Sequence, residues 1–215
     1  MEDITFKEAL DQAREYLGVH NIPANITRVQ PPQKKREKVK LPDLVVGSTD
    51  KVTECENYLS KERFIKREVL KKYDIRCGAN EICFPYWSDN KKEDLDMVKY
   101  LGLIRDNGKK NIYTSKNARK TLFGKHAVSD DASTIVITEG ELDAMSYACA
   151  GIDAVSVPFG AKWENDNGSD PNMEWIENDF EFLERFETIA ISMDMDEAGR
   201  RATASIMKRL GASRC

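Results

Sequence analysis

The amino-acid sequence predicts an α/β fold: a parallel sheet with flanking helices, preceded by a smaller mixed α+β subdomain. Two observations carry this expectation. From Ser133 onward, short apolar runs of strand type alternate with longer amphipathic stretches of helix type, a rhythm that implies parallel strands joined by right-handed crossovers. Between residues 41 and 132 the runs are short and mixed in type, without that alternation.

The elements follow in order. Residues 5–17 place Phe6, Leu10, Ala13 and Leu17 on one helical face, and Gly18 is a stop signal. The stretch "NIPANITRVQPPQKKREKVKLPD" is rich in proline and lysine and has no apolar period, so residues 1–40 read as a helix and a basic linker. Two helices are expected across residues 48–75, the second capped by Ser60 and carrying Phe64, Ile65, Val69 and Leu70 on one face. "EICFPYWS" reads as a strand, residues 91–115 as a hairpin turning near Asn107-Gly108, and "KTLFG" as a further short element. Then come the strand "TIVIT", a helix over residues 141–150 ended by Gly151, the strand "AVSVPF" and the helix "MEWIENDFEFLERF". The strand "TIAISMD" and the helix "EAGRRATASIMKRL", ended by Gly211, complete the series. The intervening loop over residues 162–170 is polar and expected to be solvated.

Charge divides along the same line. The chain carries −4 overall, but residues 131–215 hold 7 basic against 17 acidic residues, whereas eight basic residues and only Asp106 lie between Lys99 and Lys125. A basic segment beside an acidic one suits a polyanionic substrate held near divalent cations, although a solvated lysine-rich surface gives the same count. No apolar run approaches the roughly 20 residues that span a bilayer, and the acidic, amphipathic N-terminus lacks the basic-then-apolar order of a secretory signal. A cytoplasmic protein with no membrane partner is expected. Five cysteines without a CxxC pair, beside two histidines, argue against a structural zinc site and more strongly against a disulfide framework.

The chemistry concentrates at strand ends. Asp194 and Asp196 follow the third strand of the alternating region, and residues two apart on extended chain point to one side. Open α/β sheets bind ligands at that carboxyl edge. Two adjacent carboxylates repel unless a cation intervenes, and Mg²⁺ or Mn²⁺ is the hard ion that oxygen ligands favour. A bland reading makes Asp196 the cap of the following helix. Glu139 leaves the first strand in "TEGELDA", with Gly140 for the turn; Glu141 and Asp143 fall in the next helix's first turn, where acids also complement the helix dipole.

"TEGELDA", "FGA" and "DMDEAGRRA" together resemble a TOPRIM domain, the fold shared by primases, topoisomerases and some nucleases. Upstream, "YLSKERFIKREVLKKYDI", "EICFPYW", "MVKYLGL" and "TLFGKH" resemble, in the same order, the RNA-polymerase-like subdomain of the phage primase–helicase group that includes Twinkle. The resemblance spans about residues 59–210. It implies domains at 41–132 (basic primase subdomain) and 133–215 (TOPRIM), and a primase that joins ribonucleoside triphosphates on a single-stranded DNA template beside a helicase domain or other replisome protein. It implies that Glu139 binds metal or deprotonates the attacking hydroxyl, that Asp194 and Asp196 hold Mg²⁺ with Asp143 in support, and that Lys99 neutralises phosphates. Arg105, Lys109, Lys110 and Lys125 would touch nucleotide or template. Arg200 and Arg201 are open between phosphate contact and salt bridging, His126 is expected to be structural, and the "FPYW" aromatics are open between base stacking and core.

Three departures from the pattern stand out. There is no zinc module, no GxxxxGK[ST] motor motif, and the sequence ends at "LGASRC", where a further acidic strand is expected, so the TOPRIM domain is expected to be truncated. The same acids would serve a metal-dependent nuclease, and the same basic hairpin a non-catalytic module binding single-stranded DNA or a replisome partner.

Overall fold

Local sequence and long-range pairing divide the work of building this chain. The computed structural model describes Glu15 and residues 41–43, 46, 53–78, 81–89, 91–103, 111–160 and 173–215. The chain divides into two compact units, Met1–Lys35 and Arg36–Cys215. Glu15 is helical, within the helix expected over residues 5–17; the rest of that helix, the linker before residue 41, the hairpin turn near Asn107-Gly108 and the 162–170 loop lie outside the described residues.

In the second unit, α1 (Glu54–Asn57) starts where Thr53 Oγ1 accepts from the Glu56 amide at 3.1 Å, and it runs into a π turn over Tyr58–Glu62. Here the structure departs from the expected second helix. Ser60 lies inside the π turn, donating to Glu56 O at 2.6 Å, and α2 (Arg67–Lys72) begins only after Lys66. Ile65, Val69 and Leu70 are buried as the apolar spacing predicts, but Phe64 is 80% exposed at φ +57°. Periodicity runs straight through the break because Arg63 and Phe64 carry no helix-stopping side chain.

An antiparallel sheet follows, in the order β1 (Arg76–Cys77), β2 (Glu81–Trp87), β3 (Leu95–Gly102), β4 (Ile112–Thr114). β2 buries five consecutive residues, Ile82 to Tyr86, which settles the "FPYW" aromatics Phe84 and Tyr86 as core. Pro85 is tolerated because β1 pairs only with Ile82 and Cys83, so the missing amide interrupts no ladder there. A bulge at Asp96 shifts the register, so that Tyr86 faces Met97 and Trp87 faces Leu95.

One cross-link corrects the cysteine reading: Cys55 and Cys77 form a disulfide, with Cα atoms 6.0 Å apart. Odd count and spacing argue only about frameworks; the fold brings the start of α1 against β1, and that proximity is invisible in the spacing.

The parallel sheet matches its prediction. β5 (Thr134–Thr138) lies centrally between β6 (Ala154–Ser156) and β7 (Thr188–Ser192), both parallel to it. Helix α3 (Glu141–Cys149) joins β5 to β6 and closes at Gly151 (φ +80°), and α6 (Glu197–Leu210) follows β7. The "KTLFG" element adds an antiparallel bridge, Phe123 to Ser156, on β6. The helix expected over 173–186 is instead two, α4 (Glu174–Asn178) and α5 (Phe180–Leu183). Asp179 breaks it, its carboxylate accepting from Thr121 Oγ1 and the Leu122 amide at 2.5–2.7 Å. Two cores flank the sheet, as strand alternation requires. Val136 and Ala154 pack with Met145, Phe123, Phe84 and Tyr73, whereas Ile135, Ile137 and Val155 pack with Trp175, Leu183, Ile189 and Ile206. The first core is shared with the antiparallel sheet, so the two sheets fold around common residues.

Candidate active site

Register places the acids. Thr138 pairs with Ser156 on one side and Ser192 on the other, so Glu139, the Val157–Gly160 segment and Met193–Asp194 all leave the sheet at one carboxyl edge. Glu139 Oε2 accepts from the Asp194 amide at 3.2 Å, joining the first strand's acid to the third strand's exit. Gly160 sits beside Glu139 at φ +69°, the left-handed conformation that glycine adopts without strain, which gives the glycine of "FGA" a physical reason.

Asp143 faces solvent on its outer side, yet its pKa is raised, first by desolvation and then by the charge of Asp194, with Arg63 opposing. The like charges of Asp143 and Asp194 repel here, and a cation would relieve that repulsion. Asp194 and Asp196 are both exposed. Asp196 is the N-cap of α6, its Oδ1 accepting from the Gly199 amide at 2.8 Å. A carboxylate has a second oxygen, so capping and metal binding are compatible in one residue. Among the described residues no group of three or more His, Cys, Asp or Glu forms a ready-made metal cage, so the expected convergence is a shared edge and not a closed cluster. Hydrated Mg²⁺ asks for no more than one or two carboxylates, and Glu139, Asp194 and Asp196 supply oxygen donors of that class.

The backbone of the DxD turn is pinned from the helix side. A Cβ on Gly199 would fall 1.9 Å from the Asp194 carbonyl oxygen, so α6 can seat against this turn only with glycine there. Arg200 donates to Met195 O, while Arg201 pairs with Glu197 one helical turn away.

The expected cations have different fates. Lys99, on β3, is largely buried: its Nζ lies 2.7 Å from Glu141 Oε1 and donates to Pro158 O at 3.2 Å, while Tyr86 OH donates to the same Glu141 oxygen. It thus reaches the acidic edge, already paired with a buried carboxylate. Lys125 has a different place from the one expected. It is 4% exposed, with Nζ 2.5 Å from both Asp179 Oδ1 and Thr121 Oγ1 and 3.9 Å from Asp96, which makes it an internal counter-ion and withdraws it from the surface contacts. Arg105, Lys109 and Lys110 lie outside the described residues. His126 is embedded beside Tyr73, its pKa lowered to about 4 chiefly by burial, which fits the structural role expected of it.

Sequence reasoning gave Glu141 only a place beside the helix dipole and Tyr86 only one among the aromatics, and it missed Gly199. The first two announce themselves only through a contact 55 residues apart. Gly199 did leave a signal, because a glycine in the first turn of a good helix costs propensity without reward unless something presses against it.

Residues 136–215 match the family model described as Toprim-like. Over 133 residues the chain is 27% identical to the Gene 57 protein of Mycobacterium phage D29, covering 62% of this chain and 78% of that protein. The primase fragment of the bacteriophage T7 primase-helicase protein has the same fold, with TM-score 0.54 and 24% identity over 72% of this chain and 61% of that fragment. A second solved structure matches with TM-score 0.51 and 26% identity, over 67% of this chain and 70% of the other. It is that of bacteriophage T7 lagging-strand DNA polymerase interacting with primase domains of two gp4 subunits bound to an RNA/DNA hybrid and dTTP. Edge geometry, fold and family match agree: residues 136–215 match the Toprim-like model, and the chain shares its fold with the primase fragment of the bacteriophage T7 primase-helicase protein.

Proposed function

We propose that the chain is the catalytic region of a phage-type DNA primase, joining ribonucleotides into short RNA primers on single-stranded DNA. The observation that carries the reading is the meeting of Glu139, Asp143 and Asp194 at the carboxyl edge of a Toprim-like parallel sheet. Glu139, Asp194 and Asp196 would hold Mg²⁺ or Mn²⁺, which supplies charge neutralisation on the phosphates in a reaction that needs little beyond positioning and electrostatics. Glu139 would also take the proton of an attacking hydroxyl. Asp143 supports the edge electrostatically, and Lys99 brings positive charge to the same edge through its contacts with Glu141 and Pro158 O. Arg105, Lys109 and Lys110 are assigned to template or nucleotide.

In this reading residues 1–40 are a helix and basic linker, 41–132 the basic primase subdomain and 133–215 the TOPRIM domain. The partners are single-stranded DNA, ribonucleoside triphosphates and a helicase domain or other replisome protein, in the cytoplasm of a bacterial host. Among the described residues no helix is long and apolar enough to cross a membrane. The test is incubation with mixed-sequence single-stranded DNA, labelled ribonucleotides and Mg²⁺ or Mn²⁺, read on a denaturing gel. Template-dependent RNA of a few nucleotides supports the proposal. Metal-dependent nicking of the DNA without RNA would move it to a nuclease, and DNA binding without chemistry to a binding module.

A further inference from the structure

Phe64 is the least explained residue in the fold. It is 80% exposed, the largest exposure of any described aromatic side chain, and its backbone sits at φ +57°. Bulky residues avoid that region, and holding one there costs on the order of 1 kcal/mol or more unless the surroundings impose it. The surroundings do impose it. The π turn closes with the Arg63 amide on Tyr58 O at 3.1 Å, the Ile65 amide returns to Leu59 O at 2.9 Å, and Ile65 is buried. On the far side the Lys66 amide and Nζ donate to Cys149 Sγ and Cys149 O, at 3.2 and 2.7 Å. Residues 63–66 are thereby clamped between the π turn and the C-terminal end of α3. The fold thus accepts backbone strain and exposes a ring while anchoring both neighbours, an arrangement with no benefit to the core. π turns themselves recur at functional sites.

The chemistry around the ring selects its occupant. Lys61, Arg63 and Lys66 are exposed on the same short segment, and the charge of Arg63 is felt at Asp143 on the catalytic edge. Glu62 is the one exposed acid among these three cations, so the segment stays net basic. A solvent-facing aromatic ring on a basic segment is the pairing that single-stranded nucleic acid uses, with bases on the ring and phosphates on the cations.

We propose that Phe64 is a base-stacking platform that receives a nucleotide of the single-stranded template on its way to the catalytic edge. The inference rests on the reading of that edge as one that works on single-stranded DNA. Stacking on Phe64 holds the strand, and Arg63 and Lys66 follow its backbone.

The test uses the full chain with Phe64→Gly, Phe64→Asn and Phe64→Trp. Gly and Asn both accept the left-handed conformation, so these variants fold at least as stably as the parent, and thermal melting verifies that. Affinity for a fluorescent single-stranded oligonucleotide, read by anisotropy, is expected to fall about 5- to 100-fold in both and to be kept with Trp. A 2-aminopurine base in the oligonucleotide is expected to be quenched by the parent and by Phe64→Trp, and not by Phe64→Gly. Gly and Asn variants that bind and quench as the parent does would overturn the proposal, and point to a protein segment as the ring's partner. Primer synthesis, run in parallel, separates the two claims. A parent that makes no RNA defeats the primase reading while the anisotropy series still decides Phe64. A parent that makes RNA with an unchanged KM for template in Phe64→Gly defeats the stacking platform alone.

Discussion

Gly199→Ala sets two physical effects of opposite sign against each other. Gly199 lies in the first turn of α6, where replacing glycine by alanine ordinarily stabilises a helix by about 0.8–1.0 kcal/mol. The structure predicts the reverse, because the new Cβ would stand 1.9 Å from the Asp194 carbonyl oxygen, with the Asp194 carbonyl carbon and amide nitrogen also at 3.0 Å or less. All three atoms are backbone, so no rotamer change relieves the contact. Either the DxD turn or the start of α6 must move by about 1 Å. Overpacking of this kind costs about 1–3 kcal/mol, which outweighs the propensity gain or cancels it at the least. For a chain of this size each kcal/mol is about 2–4 °C, so melting is expected to fall by up to roughly 8 °C. The larger effect is functional. A displacement near 1 Å at positioned groups can cost about 100-fold in rate, and here the displaced residue is Asp194, whose charge and formal identity are unchanged. Differential scanning fluorimetry and the primer assay read the two effects separately. A Gly199→Ala protein that melts higher than the parent and keeps its activity would refute the packing argument.

Three further predictions follow from the interior. Lys125→Met leaves Asp179 without its buried counter-ion, and breaking such a pair typically costs about 3–5 kcal/mol; urea denaturation should show this, while DNA affinity below the melting range stays at the parent's value. Reduction of the Cys55–Cys77 disulfide opens a loop with a sequence separation of 22, for which chain entropy gives about 3 kcal/mol; the melting temperature should drop by roughly 6–12 °C in dithiothreitol, and Cys55→Ala/Cys77→Ala should melt at the lower value with or without it. His126 titrates at about 4 in the fold, below its unfolded value near 6.5, so the unfolded chain binds the extra proton. Stability is therefore fully retained above pH 6.5 and lost as pH falls toward 4, by about 3 kcal/mol, and His126→Gln should flatten the stability profile in that window.

Much of this molecule was legible because its parallel half obeys local rules. The run "TIVIT" is buried on both faces and "TIAIS" buries Ile189; Gly151 and Gly211 stop helices where expected, and acids just past strand ends fall where crossover topology opens the sheet. The remainder depended on pairings no local pattern encodes. Lys99 and Lys125 carry the same charge in the same basic segment, yet one reaches the acidic edge through Glu141 and the other is buried against Asp179. Asp179 looked like helix interior because its capture by Thr121 and Leu122 spans more than 55 residues. Phe64 fitted a helical stripe that the backbone leaves one residue earlier. Each miss is a side chain recruited by a distant segment against its local preference.

The central claim is that the edge carboxylates perform metal-dependent primer synthesis, and one comparison tests it directly. The parent, Glu139→Gln and Asp194→Asn/Asp196→Asn are given single-stranded DNA and labelled ribonucleotides across a Mg²⁺ and Mn²⁺ titration, with folding of each checked by melting. The account predicts short RNA from the parent and its loss, by about 100-fold or more, in both variants while DNA binding persists. Primer synthesis that survives both substitutions undiminished would contradict it.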